Sequence, residues 1–239
     1  MQHIQHSISS IEGLRLAHSY VIEATDGLTL VDTGVPGSLP QMEKELKNAG
    51  YQLNQVKRIL ITHAHWDHYG SLAALKEVTD AQVYAHHRYE SAVIRGEKRP
   101  LHPSKAELGA FDRIIYDAWV IPKLRHTVAV PVDYELKEGD RLDEVLPGLE
   151  VVDLGGHSPG QCGFWHAERG ILFGGDVMVR SPLGRFLLPM VAATPDIAEA
   201  KRSIHKVAEL NIATICLGHG QPLIGNAANT IKAFANKLS

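Results

Sequence analysis

The chain has 239 residues, of which 44% are apolar, and a formal net charge of −3. It is long enough to bury a sizeable core, and this balance excludes a disordered chain or a polycation with general affinity for nucleic acid or anionic membrane. No apolar run approaches the roughly 20 residues that span a bilayer, and MQHIQHSISS lacks the basic start and apolar stretch of a signal peptide, so a cytoplasmic location is expected.

The first strand is expected over Leu14–Ala24, with Asp26-Gly27 as a hairpin turn and Leu28–Val31 as the returning strand. His3 and His6 precede it, in a terminus expected to fray. Asp32-Thr33-Gly34 closes the returning strand. Ser38, with Gln41 three residues on, reads as a capping box opening a helix whose apolar face is Leu39, Met42, Leu46 and Ala49 and whose stop is Gly50. Val56–Thr62 is a buried strand, about 71–78 a helix and Ala81–Ala85 another strand. This order predicts a layered α/β architecture.

Residues 86–130 break the pattern with mixed charge and Pro100, Pro103, Pro122 and Pro131. They read as a helical insertion in a single domain spanning 1–239, with helix at about 105–120, and as a cover for a site or a contact in a homodimer. Beyond it, Leu149–Leu154 is a strand, and Gln161–Trp165 with Ile171–Phe173 forms a hairpin. Thr194-Pro195 opens a helix with the stripe Ile197, Ala200, Ile204, Val207 and Ala208. Thr214–Leu217 is the last strand, with a helix near Ala227 after it. Cys162 and Cys216 stand singly and read as buried thiols.

Fourteen histidines are many for this length. Thr62-His63-Ala64-His65-Trp66-Asp67-His68 follows an apolar strand directly, where loops present chemical groups. Imidazole and carboxylate are the ligands of hydrolytic zinc sites. His63 and His65 are two apart, so in extended backbone both point to one side and can reach one metal. Asp67 and His68 come after a turn and can address a second. Three weaker pieces also follow apolar strands: Gly155-Gly156-His157-Ser158-Pro159-Gly160, Gly174-Gly175-Asp176 and Gly218-His219-Gly220. Each sets one ligand type among glycines, which permit tight turns and close approach. Singly they say little; together they predict convergence.

In this order, Asp32-Thr33-Gly34, the His63–His68 box, the Gly156–Gly160 turn, Asp176 and Gly218-His219-Gly220 resemble the metallo-β-lactamase-fold superfamily, from about Leu14 to Pro222. The resemblance implies a four-layer αββα sandwich of two mixed β-sheets. It implies that His63, His65 and His157 bind a first metal, that Asp67, His68 and His219 bind a second, and that Asp176 bridges both. Asp32 either orients the site through hydrogen bonds or is a turn aspartate. The expected cofactor is two zinc ions, with iron or manganese as alternatives.

The expected activity is hydrolysis of an ester, thioester or lactone of a small molecule by a bridging hydroxide, with Asp67 relaying a proton. A mononuclear iron enzyme similar to persulfide dioxygenases is the redox alternative. A phosphodiesterase, ribonuclease or β-lactamase and a non-catalytic zinc module are the others. His65 stands where flavodiiron relatives carry Glu, and Asp176 where zinc β-lactamases carry Cys or Ser. RNA-processing relatives usually carry an RNA-binding arm, and the near-neutral charge gives that reading little support; the chain ends soon after Gly220, so the helical extension of glyoxalase II is expected to be missing or much shortened. Trp66, Tyr69, Arg180 and Arg185 are candidates for the substrate pocket, and Tyr20, Tyr69 and Tyr116 for a hydroxyl on the substrate carbonyl.

Overall fold

The structure is a computed structural model and describes residues 1–120 and 128–238. A seven-stranded sheet takes its strands in chain order: β1 (Gln2–Gln5), β2 (Ile8–Ser10), β3 (Tyr20–Ala24), β4 (Gly27–Val31), β5 (Val56–Ile61), β6 (Gln82–His86) and β7 (Tyr134–Leu136). It is antiparallel from β1 to β4 and parallel from β4 to β7. A four-stranded sheet contains β8 (Leu149–Asp153), β9 (Cys162–His166), β10 (Ile171–Gly175) and β13 (Thr214–Leu217) in the order β13-β10-β9-β8. A small hairpin of β11 (Val179–Arg180) and β12 (Phe186–Leu187) lies beside it.

Alternation along the strands sorts apolar residues into three layers. Leu60 of β5 faces inward with Ile22, Val151, Phe164 and Phe173, and these fill the space between the sheets. Its neighbours Ile59 and Ile61 face outward. There they meet Met42 and Leu46 of α1 (Leu39–Asn48), Leu72 and Leu75 of α2 (Leu72–Val78) and Val93 and Ile94 of α3 (Glu90–Ile94). On the far side, Leu172, Ile215 and Leu217 meet Ile204 and Val207 of α5 (Ile197–Glu209) and Ile231 of α6 (Ala227–Ala235). The result is the αββα sandwich expected from the sequence.

Several local expectations change. The N-terminus does not fray: β1 and β2 pair antiparallel, because Ile4 and Ile8 bury against the inter-sheet core. The strand expected from Leu14 starts at Tyr20. Residues 14–19 are instead a loop drawn over the second sheet, with Leu16 at φ +65° and the His18 amide donating to the Gly218 carbonyl. Ser38 does precede α1, but not as a capping box. Its hydroxyl donates to the Val35 carbonyl, and the Gln41 amide group donates to the Glu12 carbonyl. Asp196, not Thr194, caps α5, by accepting from the Glu199 amide.

His86 ends β6, and α3 belongs to the outer helical layer. A short 3-10 turn at Lys105–Glu107, α4 (Ala110–Ile115) and a π-helical turn at Tyr116–Val120 follow. Pro122 and His126 lie outside the described residues. Among the described residues no helix is long and apolar enough to cross a membrane. Cys162 and Cys216 are free and buried.

Candidate metal centre

Strands β4, β5 and β6 run parallel, and β8, β10 and β13 end toward the same edge of the sandwich. Loops leaving their carboxyl ends therefore meet there. Asp32 follows β4, the 63–68 stretch follows β5, His157 follows β8, Asp176 follows β10 and His219 follows β13. Metal-ligand atoms of His63, His65 and His157 lie within 4.8 Å of one another, as do those of His63, His68 and Asp176, and those of Asp67, His68 and His219. Asp176 lies between the groups. Its Oδ2 is 3.4 Å from His157 Nε2 and 3.1 Å from His219 Nε2, and its Oδ1 is 3.4 Å from His68 Nε2. Every ligand candidate read from the sequence is thus brought to one place.

The imidazoles are held by their outer nitrogens. The Thr194 hydroxyl donates to the Met190 carbonyl, so it must accept from His157 Nδ1 at 2.9 Å. The Thr62 hydroxyl donates to Asp32 Oδ2 and accepts from His63 Nδ1 at 3.1 Å. Asp32 also accepts from the Thr62 amide and from His68 Nδ1 at 2.8 Å. His219 Nδ1 donates to the Leu16 carbonyl at 3.2 Å. In His63 and His157 the proton is spent on Nδ1, and Nε2 keeps its lone pair for the interior; in His68 and His219 the same bonds turn Nε2 inward. Asp32 has φ +60°, a conformation that costs a non-glycine residue energy, and its three hydrogen bonds hold it there. That settles its role: it orients His68.

Burial pushes His63 and His65 well below the usual imidazole range and His157 down to about 4, leaving them neutral at pH 7. At His68 and His219 burial works in the same direction, but the adjoining carboxylates, Asp176 with Asp32 at His68 and Asp176 with Asp67 at His219, together outweigh it and raise both. Burial alone would raise Asp176; His219 and His68 instead hold it well below the usual carboxylate range. The nitrogens His63 Nε2, His65 Nε2 and His68 Nε2 and the oxygen Asp176 Oδ1 are buried with no hydrogen-bond partner among the described residues. Buried lone pairs rarely stay unpaired, and a knot of them converging on one space fits divalent cations. Gly218 makes room, since a Cβ there would stand 2.2 Å from Asp176 Oδ1.

Glu90 was not among the residues singled out from the sequence. Its buried carboxylate accepts from the Ala64 amide at 2.6 Å, between His63 and His65. It also accepts from the Ser158 hydroxyl and from the Gly160 amide at 2.9 Å, on the His157 turn. One side chain from α3 therefore fastens together two loops that carry ligand candidates. Burial raises its pKa, and these hydrogen bonds oppose the rise.

The cluster opens into a cavity of about 400 Å³ lined in part by Trp66, His102, Val179, Leu187 and Met190. His102 stacks on His65 with ring centroids 5.5 Å apart, neither of its nitrogens has a hydrogen-bond partner among the described residues, and burial lowers it to about 4. Among the aromatic candidates, Trp66 lines the cavity. Tyr20 and Tyr69 do not: Tyr69 packs in the outer core, and the Tyr20 hydroxyl donates to the Leu217 carbonyl. Tyr116 lies 6.4 Å from His102, ring to ring. Arg180 is engaged by the carbonyls of Gln221 and Pro222, and Arg185 lies outside the lining.

This geometry agrees with comparison to known proteins. Residues 13–219 match the model of the metallo-beta-lactamase superfamily, and the chain belongs to that family. Among curated relatives, a probable metallo-hydrolase, YflN, of Bacillus subtilis (strain 168) is 28% identical over 95% of this chain and 89% of its own length. A hydroxyacylglutathione hydrolase of Ruegeria pomeroyi is 29% identical over 84% of this chain and 62% of its own length. Among solved structures, a metallo-beta-lactamase family protein from Thermus thermophilus superposes with TM-score 0.70 at 24% identity, covering 97% of this chain and 79% of that one. At that identity it supports the fold alone. The protein is therefore a metallo-hydrolase by family, with His and Asp groups placed for divalent metal.

Proposed function

We propose that this protein hydrolyses an ester, thioester or lactone through two divalent cations, zinc foremost. The observation that carries the reading is the pair of adjoining ligand groups with the Asp176 carboxylate between them. His63, His65 and His157 would hold one cation, Asp67, His68 and His219 the other, with Asp176 shared. When bound, such cations bring the pKa of water toward neutrality and polarise a carbonyl oxygen.

The chain's own groups do the rest. Nδ1–H bonds to Thr62, Asp32, Thr194 and Leu16 fix the inward aim of the imidazoles. The Asp67 carboxylate, on the cavity wall with Oδ2 3.5 Å from His219 Nε2, takes up and passes on a proton at that oxygen. Trp66 and His102 screen the cluster from one side of the cavity. A donor set of imidazole and carboxylate without thiolate suits open hydrolytic sites rather than closed structural ones. The relative named as a hydroxyacylglutathione hydrolase favours the thioester among the candidate bonds.

The test is metal analysis of purified protein together with turnover of thioesters, lactones, esters, phosphodiesters and β-lactams. Two zinc per chain with cleavage of an acyl bond is the expected result. One iron per chain with oxygen uptake on a persulfide, or cleavage confined to phosphodiesters or β-lactams, would overturn it.

A further inference from the structure

We propose that the cavity selects substrates whose acyl part is an uncharged aliphatic chain, seated against Val179, Leu187, Leu188 and Met190. This rests on the acyl-hydrolase reading and narrows it.

The wall is built directly after the metal cluster. Asp176 is followed three residues later by Val179, whose register partner across the small hairpin is Leu187. Side chains alternate along strands, so one face of the hairpin carries Val179 and Leu187 and the other carries Arg180 and Phe186. The first face lines the cavity. On the second, Phe186 is buried in the outer core and the Arg180 guanidinium is spent on the carbonyls of Gln221 and Pro222. Arg180 is thereby turned away from the cavity.

Among the described residues the lining holds no Lys or Arg, and its carboxylates, Asp67 and Asp176, both belong to the metal cluster. Along the hairpin wall, away from the metal cluster, a negative end group would meet no Lys or Arg among the described residues and would lose its water. A chain of methylenes would lose nothing and would cover apolar surface. Some of that surface faces solvent: Leu187 is 49% exposed and Met190 45%. Large apolar side chains left open beside a reactive cluster mark a binding surface. The reaction keeps its balance: water gives OH to the acyl carbon, the acyl–O or acyl–S bond breaks, and the leaving group departs with the proton.

The experiment uses the zinc-loaded full chain and phenyl thioesters from acetyl to decanoyl, with ω-carboxylate analogues of equal length. The kcat/KM is expected to rise up to about fourfold per added methylene over the first several carbons. A terminal carboxylate should cost at least about tenfold. In Leu187→Glu the octanoyl-to-acetyl ratio should fall about tenfold, and an ω-amino acyl chain should gain on octanoyl. A flat series, or preference for the carboxylate, overturns the proposal while acyl hydrolysis stands. If no acyl bond is cleaved, the parent reading has failed, and calorimetry with ketones decides the cavity. Binding of 2-decanone at least about tenfold tighter than 2-pentanone supports the apolar seat, and equal binding overturns it.

Discussion

On one side of the cavity, His157 and Asp176 stand on turns that leave β8 and β10, and each has its backbone or ring fixed by buried partners, Thr194 for His157 and Gln161 for the Asp176 amide. On the other side, Leu187 and Met190 belong to a strand of two residues and the turn after it, half open to water. The first region is over-determined, the second barely constrained. Groups that must meet within a few ångströms are carried by the sandwich itself. Groups that only have to be apolar and nearby are left to short elements, which can change without disturbing the sheets.

Mutations should expose this contrast. Asp176→Ala removes the carboxylate between the ligand groups. It should cost about three orders of magnitude in kcat and lower bound metal below two per chain, while the circular dichroism spectrum stays that of the parent. Asp32→Ala frees His68 from its partner, and zinc affinity should fall about 10- to 100-fold in competition with a chelating dye. Glu90→Gln leaves at least one buried donor facing an amide. It should cost about 1–3 kcal/mol in urea unfolding and loosen zinc at the same time, because Glu90 ties both loops. Removing zinc from the parent should lower its melting temperature by roughly 5–10 °C relative to protein at 100 times the dissociation constant, equivalent to about 2.7 kcal/mol. The smallest effects form a pair. Asp196→Ala should lose about 1 kcal/mol of stability with zinc affinity unchanged, whereas Thr194→Val should weaken zinc several-fold with little thermal shift. Equal behaviour of those two variants would erase the distinction drawn between a helix cap and a ligand support.

That pair also shows where reading the sequence stops. His63, His65, Asp67, His68, His157, Asp176 and His219 were legible because each follows an apolar strand and is a residue type that strand ends seldom gather by chance. The layers were legible because periodicity reports which face is buried. Threonine before proline fits a helix start, but the Thr194 hydroxyl is used by a residue 37 positions away. Glu90 carried no local signal at all, because its partners lie 26 to 70 positions away. The hairpin of β1 and β2 carries no local signal for the same reason: its buried isoleucines face strands made much later. Local pattern names the groups, while pairing across the sandwich decides what they do.

The sequential order of the large sheet has a consequence for how the molecule is made. Every neighbour in that sheet is a neighbour in the chain. It can therefore assemble while the rest is still being synthesised. Its inward face, including Ile8, Ile22 and Leu60, then has no cover until β8 to β13 emerge. A growing chain passes through a stage with a sticky half-sandwich and an incomplete set of imidazoles. A helper that shields bare strands, or a slow pause in translation near position 140, would act on this protein before any cation could.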